Sequence, residues 1–91
     1  MEKLNEAEVE RELAETPGWE RSGDSIVRTA KFKDFKEAME FVNRVADVAE
    51  EANHHPDITI RWNTVTLTQS THVADGLTEH DFRLARRLNE L

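Results

Sequence analysis

Apolar and polar residues recur with two different periods along the chain, and the longer, helical period comes first. Leu4, Val9 and Leu13 lie on one stripe of a helix, and Asn5 followed three residues later by Glu8 has the form of a capping box. The segment 16–18, Thr-Pro-Gly, cannot continue a helix because proline lacks a backbone N–H group. A first helix is therefore predicted over about residues 5–15.

An extended pattern follows between Trp19 and Lys33. Gly23 and Asp24 are turn residues, and strand-forming residues such as Ile26, Val27 and Phe32 lie beyond them. This pattern predicts a β-hairpin.

The next helix is predicted over residues 35–52, with Asp34 as its N-cap and Glu37 completing an arrangement like a capping box. It carries two apolar stripes, one formed by Phe35, Ala38, Met39, Val42, Ala46 and Ala49, the other by Phe41, Val45, Val48 and Ala52. Together they exceed the arc that one core usually covers. Two interpretations remain open: the surplus is a subunit interface, or a curved sheet and the flanking helices cover both stripes.

A second hairpin and a third helix complete the pattern. Pro56 ends the long helix, residues 58–62 alternate apolar and polar up to a turn near residues 63–64, and a return strand is predicted over residues 65–71. Thr78 and Asp81 predict the start of a last helix, whose apolar residues are Phe82, Ala85, Leu88 and Leu91.

The element order is helix, hairpin, helix, hairpin, helix. Half-apolar strands arranged in this order predict an α+β fold, a two-layer sandwich in which helices pack on one face of a four-stranded antiparallel sheet. A chain of 91 residues suits a single domain spanning 1–91.

Composition excludes several classes of protein. The chain has no cysteine, which removes disulfides, cysteine-ligated zinc and thiol nucleophiles. It has 19 acidic residues and 12 Lys and Arg residues, which gives a net charge of −7. This negative charge argues against binding to a nucleic acid backbone. The basic residues Arg83, Arg86 and Arg87 alternate with other residue types and suit a solvated helix face. No membrane-spanning run or secretory signal is evident, so a soluble cytoplasmic protein is expected.

Three of the four histidines fall at predicted element boundaries: His54, His55 and His72. Imidazole can act as acid and as base near neutral pH, and side chains at such ends can converge on one cleft. Glu50 stands four residues before His54, which predicts an ion pair across the last helical turn.

Less specific interpretations of these residues also stand. The histidine pair suits a helix-dipole partner or an ordinary surface site, and Asp81 suits a purely structural cap. Three histidines near carboxylates could also hold zinc or iron, although adjacent helical side chains such as His54 and His55 diverge by about 100° unless Pro56 breaks the helix between them.

Taken together, the residues form the pattern Glu50-x3-His54-His55-Pro56-x5-Trp62-x9-His72-x8-Asp81. This pattern resembles the signature of the pterin-4a-carbinolamine dehydratase family. The resemblance extends over nearly everything after the first helix, including the segments 18–19, 32–35, 44–46 and 77–78.

The resemblance implies an antiparallel four-stranded sheet with helices on one face, assembled as a homodimer or homotetramer through helices and sheet edges. It implies a small-molecule pterin substrate, the 4a-hydroxytetrahydropterin released by aromatic amino acid hydroxylases. The products are then a quinonoid dihydropterin and water, a step in tetrahydrobiopterin recycling that needs no metal or other cofactor.

The resemblance also implies roles for the motif residues. His54 is expected to be the acid, with Glu50 as its ion-pair partner, and His72 the base, although the two can be exchanged; His55 is expected to hold the pterin. The expected substrate-binding residues are Asn53, Pro56, Trp62, Thr71 and Asp81. His80 matches no motif position and is expected to be a bystander.

Two positions depart from the pattern of familiar members. Ile58 replaces an aromatic residue and Asn53 replaces a common Asp, so the substrate preference is open. Some animal relatives also bind and stabilise the dimer of a homeodomain transcription factor. The alternative function is therefore a protein-interaction module that acts as a dimerisation cofactor of a transcription factor.

Overall fold

Three helices cover one face of a four-stranded sheet in the computed structural model, which describes residues 2–91. The helices are α1 (Glu6–Ala14), α2 (Phe35–Ala52) and α3 (Glu79–Leu88). They alternate with two hairpins, one formed by β1 (Glu20–Ser22) and β2 (Ser25–Lys31), the other by β3 (Asp57–Arg61) and β4 (Thr64–Gln69). The predicted α+β class and element order are confirmed.

Capping boxes start the first and last helices, as predicted. In α1 the Asn5 side chain accepts from the Glu8 backbone N–H at 2.9 Å, and the Glu8 carboxylate accepts from the Asn5 N–H at 2.9 Å. Thr78 and Asp81 form the corresponding pair at α3. These local contacts satisfy backbone donors that have no partner within the helix.

The cap of α2 differs from the prediction in one contact. The Asp34 side chain accepts from the Glu37 N–H at 2.9 Å, as expected. The Glu37 carboxylate, however, accepts from the Lys33 N–H at 3.2 Å instead of completing the box at Asp34. The extended backbone of Asp34 brings the preceding peptide group within reach of the Glu37 side chain.

The two hairpins join in the order β1-β2-β4-β3, and every neighbouring pair is antiparallel. The strand bounds of the second hairpin differ from the prediction by one or two residues. Trp62 lies in the turn with a positive φ of 51° instead of ending β3, and β4 ends at Gln69 instead of Thr71. Strand β3 is an outer strand of the sheet, and all of its residues are exposed.

The sheet has one buried face and one more open face, as the alternation in β4 predicts. Val65, Leu67 and Gln69 are buried beneath the helices, and the three threonines between and before them are only half-buried. Cross-strand pairing places Ile26 opposite Gln69 on the buried face. The core contains mainly these side chains together with Phe41, Val45, Leu77, Phe82, Leu84 and Leu88.

Residues from both apolar stripes of helix α2 face the core. Its buried residues are Ala38, Phe41, Val45 and Ala49. Ala46 is exposed and Phe35 is 52 % exposed, so one chain leaves part of the first stripe uncovered. The subunit interface on this helix stays a prediction. Over residues 2–91, none of the helices has the length and apolar character needed to span a bilayer.

Candidate active site

The end of α2 determines the directions of the first two histidines. Asn53 adopts a left-handed conformation with φ 52° and ψ 41°, which asparagine tolerates better than most residues. The His54 N–H donates to the Ala49 carbonyl at 3.1 Å, and the Asn53 N–H donates to the Glu50 carbonyl at 3.2 Å. This is a Schellman motif, so the chain leaves the helical path just before His54.

His54 contacts the first turn of α3. Its Nε2 lies 2.6 Å from Oδ1 of Asp81, a carboxylate that is fully buried. The His54 side chain is 13 % exposed. The predicted ion pair between His54 and Glu50 is therefore wrong, because i,i+4 contact requires helical backbone through residue 54 and the helix ends at Ala52.

Glu50 pairs with the next histidine instead. Its Oε2 is in direct contact with Nε2 of His55, and both side chains are largely exposed. The turn at Asn53 directs His55 back along the last turn of α2, whereas His54 points towards α3. The two neighbouring imidazoles thus have separate carboxylate partners.

Asp81 accepts hydrogen bonds from a buried group of polar residues. Its Oδ2 accepts from the Thr71 hydroxyl at 2.8 Å and from the Thr78 backbone N–H at 3.0 Å. The hydroxyls of Thr71 and Thr78 are 2.9 Å apart. With His54 on Oδ1, both oxygens of this buried carboxylate are satisfied, as a buried charge requires.

His72 reaches the same region from the segment that follows β4. Beyond β4, a bridge between Thr71 and Gly76 closes a small loop, and a short 3₁₀ helix, His72–Ala74, lies within it. The loop and the end of α2 line an open cavity of about 340 Å³. Its lining residues are Asn53, His54, His55, Ser70, Thr71, His72 and Val73. The structure therefore brings together the three histidines that the sequence selected.

A second cavity of about 200 Å³ lies on the α3 side of His54. Its lining includes His54, His80, Arg83 and Arg87, and the ring centroids of His54 and His80 are 6.0 Å apart. Arg87 donates to Glu51 at 2.7 Å, and Arg83 lies 3.6 Å from Glu79. Carboxylates thus compensate the charge of both arginines.

Four motif residues lie outside the cavity lining: Glu50 and Asp81, which bond to the lining histidines His55 and His54, and Pro56 and Trp62. Pro56 is buried directly before β3 and carries the chain from His55 into the sheet. Trp62 is 65 % exposed at the far end of the β3–β4 hairpin. A five-residue strand spans roughly 16 Å, so within one chain Trp62 does not meet the histidines. The predicted grouping of Trp62 with the substrate-binding residues does not occur in the single chain.

Some residues of the site were not predicted. Ser70 and Val73 line the cavity, and the hydroxyl of Thr78 joins the polar group around Asp81. The sequence signal of Thr78 concerned only its cap, since nothing local connects it with Thr71. Within residues 2–91, no group of three or more His, Asp or Glu side chains is arranged to hold a metal ion.

The arrangement suits proton transfer to and from a small molecule. Two imidazoles that line one cavity can donate and accept protons near neutral pH. Because Asp81 accepts at Nε2 of His54, that nitrogen carries the hydrogen, and Nδ1 is the nitrogen left to exchange a proton with a ligand.

Comparisons with known proteins point to one family. A family model described as pterin 4 alpha carbinolamine dehydratase matches residues 2–91. A protein of Thermomicrobium roseum named "Putative pterin-4-alpha-carbinolamine dehydratase" is 60% identical over 91 residues, covering 100% of this chain and 98% of its own. A protein of Nocardia farcinica with the same name is 51% identical, covering 99% and 95%.

A solved structure has the same fold. The crystal structure of a "transcriptional coactivator/pterin dehydratase" from Brucella melitensis superposes with a TM-score of 0.91 at 37% identity. The match covers 97% of this chain and 96% of that one.

Proposed function

Because this chain belongs to the pterin-4a-carbinolamine dehydratase family, we propose that it dehydrates a 4a-hydroxytetrahydropterin to a quinonoid dihydropterin. The observation that carries the proposal is the cavity shared by His54 and His72, with His54 bonded to the buried Asp81. In the cell, this reaction serves the recycling of tetrahydrobiopterin.

The reaction requires one acid and one base. The bond between ring carbon 4a and its hydroxyl oxygen breaks, and the acid donates a proton so that the oxygen leaves as water. The base takes the proton from the adjacent ring nitrogen, whose electron pair forms the new carbon–nitrogen double bond. Each positioned group of this kind typically contributes about 10² to 10⁴-fold to a rate.

His54 is the proposed acid and His72 the proposed base. Asp81 accepts from Nε2 of His54 and carries the compensating negative charge when the ring is protonated, so Nδ1 donates the proton to the leaving oxygen. His72 lines the same cavity, at the start of the short 3₁₀ helix. The proposed carboxylate partner of His54 is thus Asp81, and not Glu50 as the sequence pattern predicted.

Binding of the pterin falls to the rest of the cavity. His55, paired with Glu50, is the proposed holding residue, and Asn53 beside it offers an amide to the polar edge of the pterin ring. Pro56 is proposed to contribute indirectly, because it fixes the path of the chain immediately after His55.

The test follows the decay of a freshly generated 4a-hydroxytetrahydropterin with and without the protein. Wild type should accelerate the decay, and His54→Ala and His72→Ala should each lose about 10²-fold or more of that acceleration. His80→Gln is the matched control, since it replaces the fourth histidine, and it should leave the rate unchanged. Near wild-type rates in both alanine variants would contradict the proposed chemistry.

A second candidate function is a protein-interaction module. The Brucella structure is described as a transcriptional coactivator as well as a pterin dehydratase. In this chain, β3 and its turn expose three apolar residues: Ile58, Ile60 and Trp62. The same two variants distinguish the functions, because His54→Ala and His72→Ala should slow dehydration without changing this surface.

Self-association is also part of the proposal. The exposed apolar residues of α2 and of the outer strand β3 support a homodimer or homotetramer. Trp62 then has a place in such an assembly, away from the histidines of its own chain.

A further inference from the structure

Two buried threonine hydroxyls connect to the far side of the Asp81 carboxylate. Thr71 and Thr78 are 5 % and 1 % exposed, their hydroxyls are within hydrogen-bonding distance of each other, and the Thr71 hydroxyl also donates to Asp81. They come from different elements, the loop beyond β4 and the N-cap of α3. Their contact is therefore a product of the tertiary fold.

The hydrogens of this group have one consistent arrangement. An ionised Asp81 has no hydrogen to donate, so the single Thr71 hydroxyl hydrogen goes to Oδ2 at 2.8 Å. Thr71 must then accept from Thr78 across 2.9 Å, and the Thr78 oxygen accepts from the backbone N–H of His80 at 3.3 Å. The chain of donors ends at the carboxylate that also accepts from His54.

We propose that Thr71 and Thr78 are positioning residues that hold Asp81, and through it His54, in the orientation needed for proton transfer. The inference rests on the dehydratase function proposed above and deepens it. It also gives Thr71 a role other than donating a hydrogen bond to the pterin, because its only hydroxyl hydrogen is already donated to Asp81.

Helix capping alone does not explain the geometry. The cap of α3 needs only Thr78 and Asp81, which bond to each other through backbone N–H groups. Thr71 lies outside the helix, and its hydroxyl bonds only to Asp81 and Thr78 within the part of the chain that the structure describes. Its contribution is a second donor to Oδ2, which restrains rotation of the carboxylate about its bond to the helix.

The test is Thr71→Val, which keeps the shape of the side chain and removes the donor. In the free protein, ¹⁵N NMR of the histidine rings should show a single Nε2–H tautomer of His54 at high pH in wild type and a mixture in the variant. The kcat for dehydration should fall about ten-fold, the loss expected for one hydrogen bond to a charged group, while KM stays unchanged. Thr71→Ser, which restores the hydroxyl, should recover both.

Thr68→Val is the matched control, because it makes the same change on the opposite, helix-free face of β4 and should alter neither readout. If Thr71→Val does not fold, Thr71→Ala removes the hydroxyl without placing a methyl group against Asp81. Unchanged His54 resonances in a folded Thr71→Val or Thr71→Ala protein would overturn the proposal. The NMR measurement needs no substrate, so this outcome is distinct from a failure of the dehydratase function.

Discussion

His54 Nε2 lies 2.6 Å from Asp81 Oδ1, which joins the end of α2 to the first turn of α3 across 27 positions of sequence. The contact fixes which imidazole nitrogen carries a hydrogen. It also places a buried negative charge directly behind the ring that faces the cavity. The chemistry of the site therefore depends on a residue that also has a structural role as a helix cap.

Asp81→Asn should separate these two roles. The asparagine oxygen can still accept from Thr71 and Thr78, which turns its NH₂ group towards His54. A donor there requires Nε2 to accept, so the neutral ring shifts its hydrogen to Nδ1. We expect kcat to fall by about 10²-fold, together with an inverted tautomer in ¹⁵N NMR.

The control for this substitution is Asp57→Asn at the exposed start of β3, which should leave both measurements unchanged. A variant with the wild-type tautomer and the wild-type kcat would show that Asp81 serves only as a cap.

Glu50→Gln should weaken substrate binding with little effect on folding. The pair formed by Glu50 and His55 is exposed, and such pairs contribute less than about 1 kcal/mol to stability. If His55 holds the pterin, loss of its partner should raise KM and leave kcat unchanged. The comparison is Glu51→Gln, the neighbouring residue paired with Arg87, which should not change KM. Equal KM values for the two variants would count against a holding role for His55.

Gln69→Leu should stabilise the protein. Gln69 is 1% exposed on the buried face of β4, and neither atom of its amide has a hydrogen-bond partner within residues 2–91. Burial of an unpaired amide costs about 1–3 kcal/mol, so an apolar side chain of similar size should raise the free energy of unfolding by about that amount. Chemical denaturation measures the change, and Gln69→Glu should lower the stability. A less stable leucine variant would show that the amide has a partner in solution.

Part of the loss of stability in acid should come from the loss of an ion pair between α1 and β1. A hydrogen bond and the positive charge of Arg21 lower the pKa of Glu6 below its usual 4.5. Since the folded-state pKa is the lower one, this stabilisation is complete above the unfolded-state pKa and is lost as pH falls through the folded-state value. Glu6→Gln should flatten the dependence of unfolding free energy on pH in that window, and Glu15→Gln at the end of α1 should not. Parallel curves for wild type and Glu6→Gln would refute the assignment.

Sedimentation should show a homo-oligomer that depends on the exposed side of α2. Phe35→Asp places a charge on a side chain that is 52 % exposed, so it should reduce assembly without unfolding the chain. Glu40→Gln, an exposed change on the same helix, is the control. A wild-type protein that sediments as a monomer at micromolar concentration would remove the interface on α2.

Local signals were sufficient to predict most of the fold. Asn5 with Glu8 and Thr78 with Asp81 predicted two helix starts correctly, because a cap is satisfied within four residues of sequence. The alternation along β4 predicted its buried face, because side chains of a strand point alternately to opposite sides. The bounds of β3 and β4 were less accurate, since the positive φ of Trp62 places it in the turn despite its preference for strands.

The contacts of the candidate site depend on tertiary packing that local sequence patterns do not predict. By itself, the sequence determined the residue types available for proton transfer and the element boundaries where they lie. It could not give their partners: the spacing of Glu50 and His54 suggested an ion pair, but a left-handed Asn53 ends the helix between them. Only the tertiary structure placed Asp81 behind His54 and moved Trp62 away from both, because such contacts depend on how distant elements pack and not on any repeat along the chain.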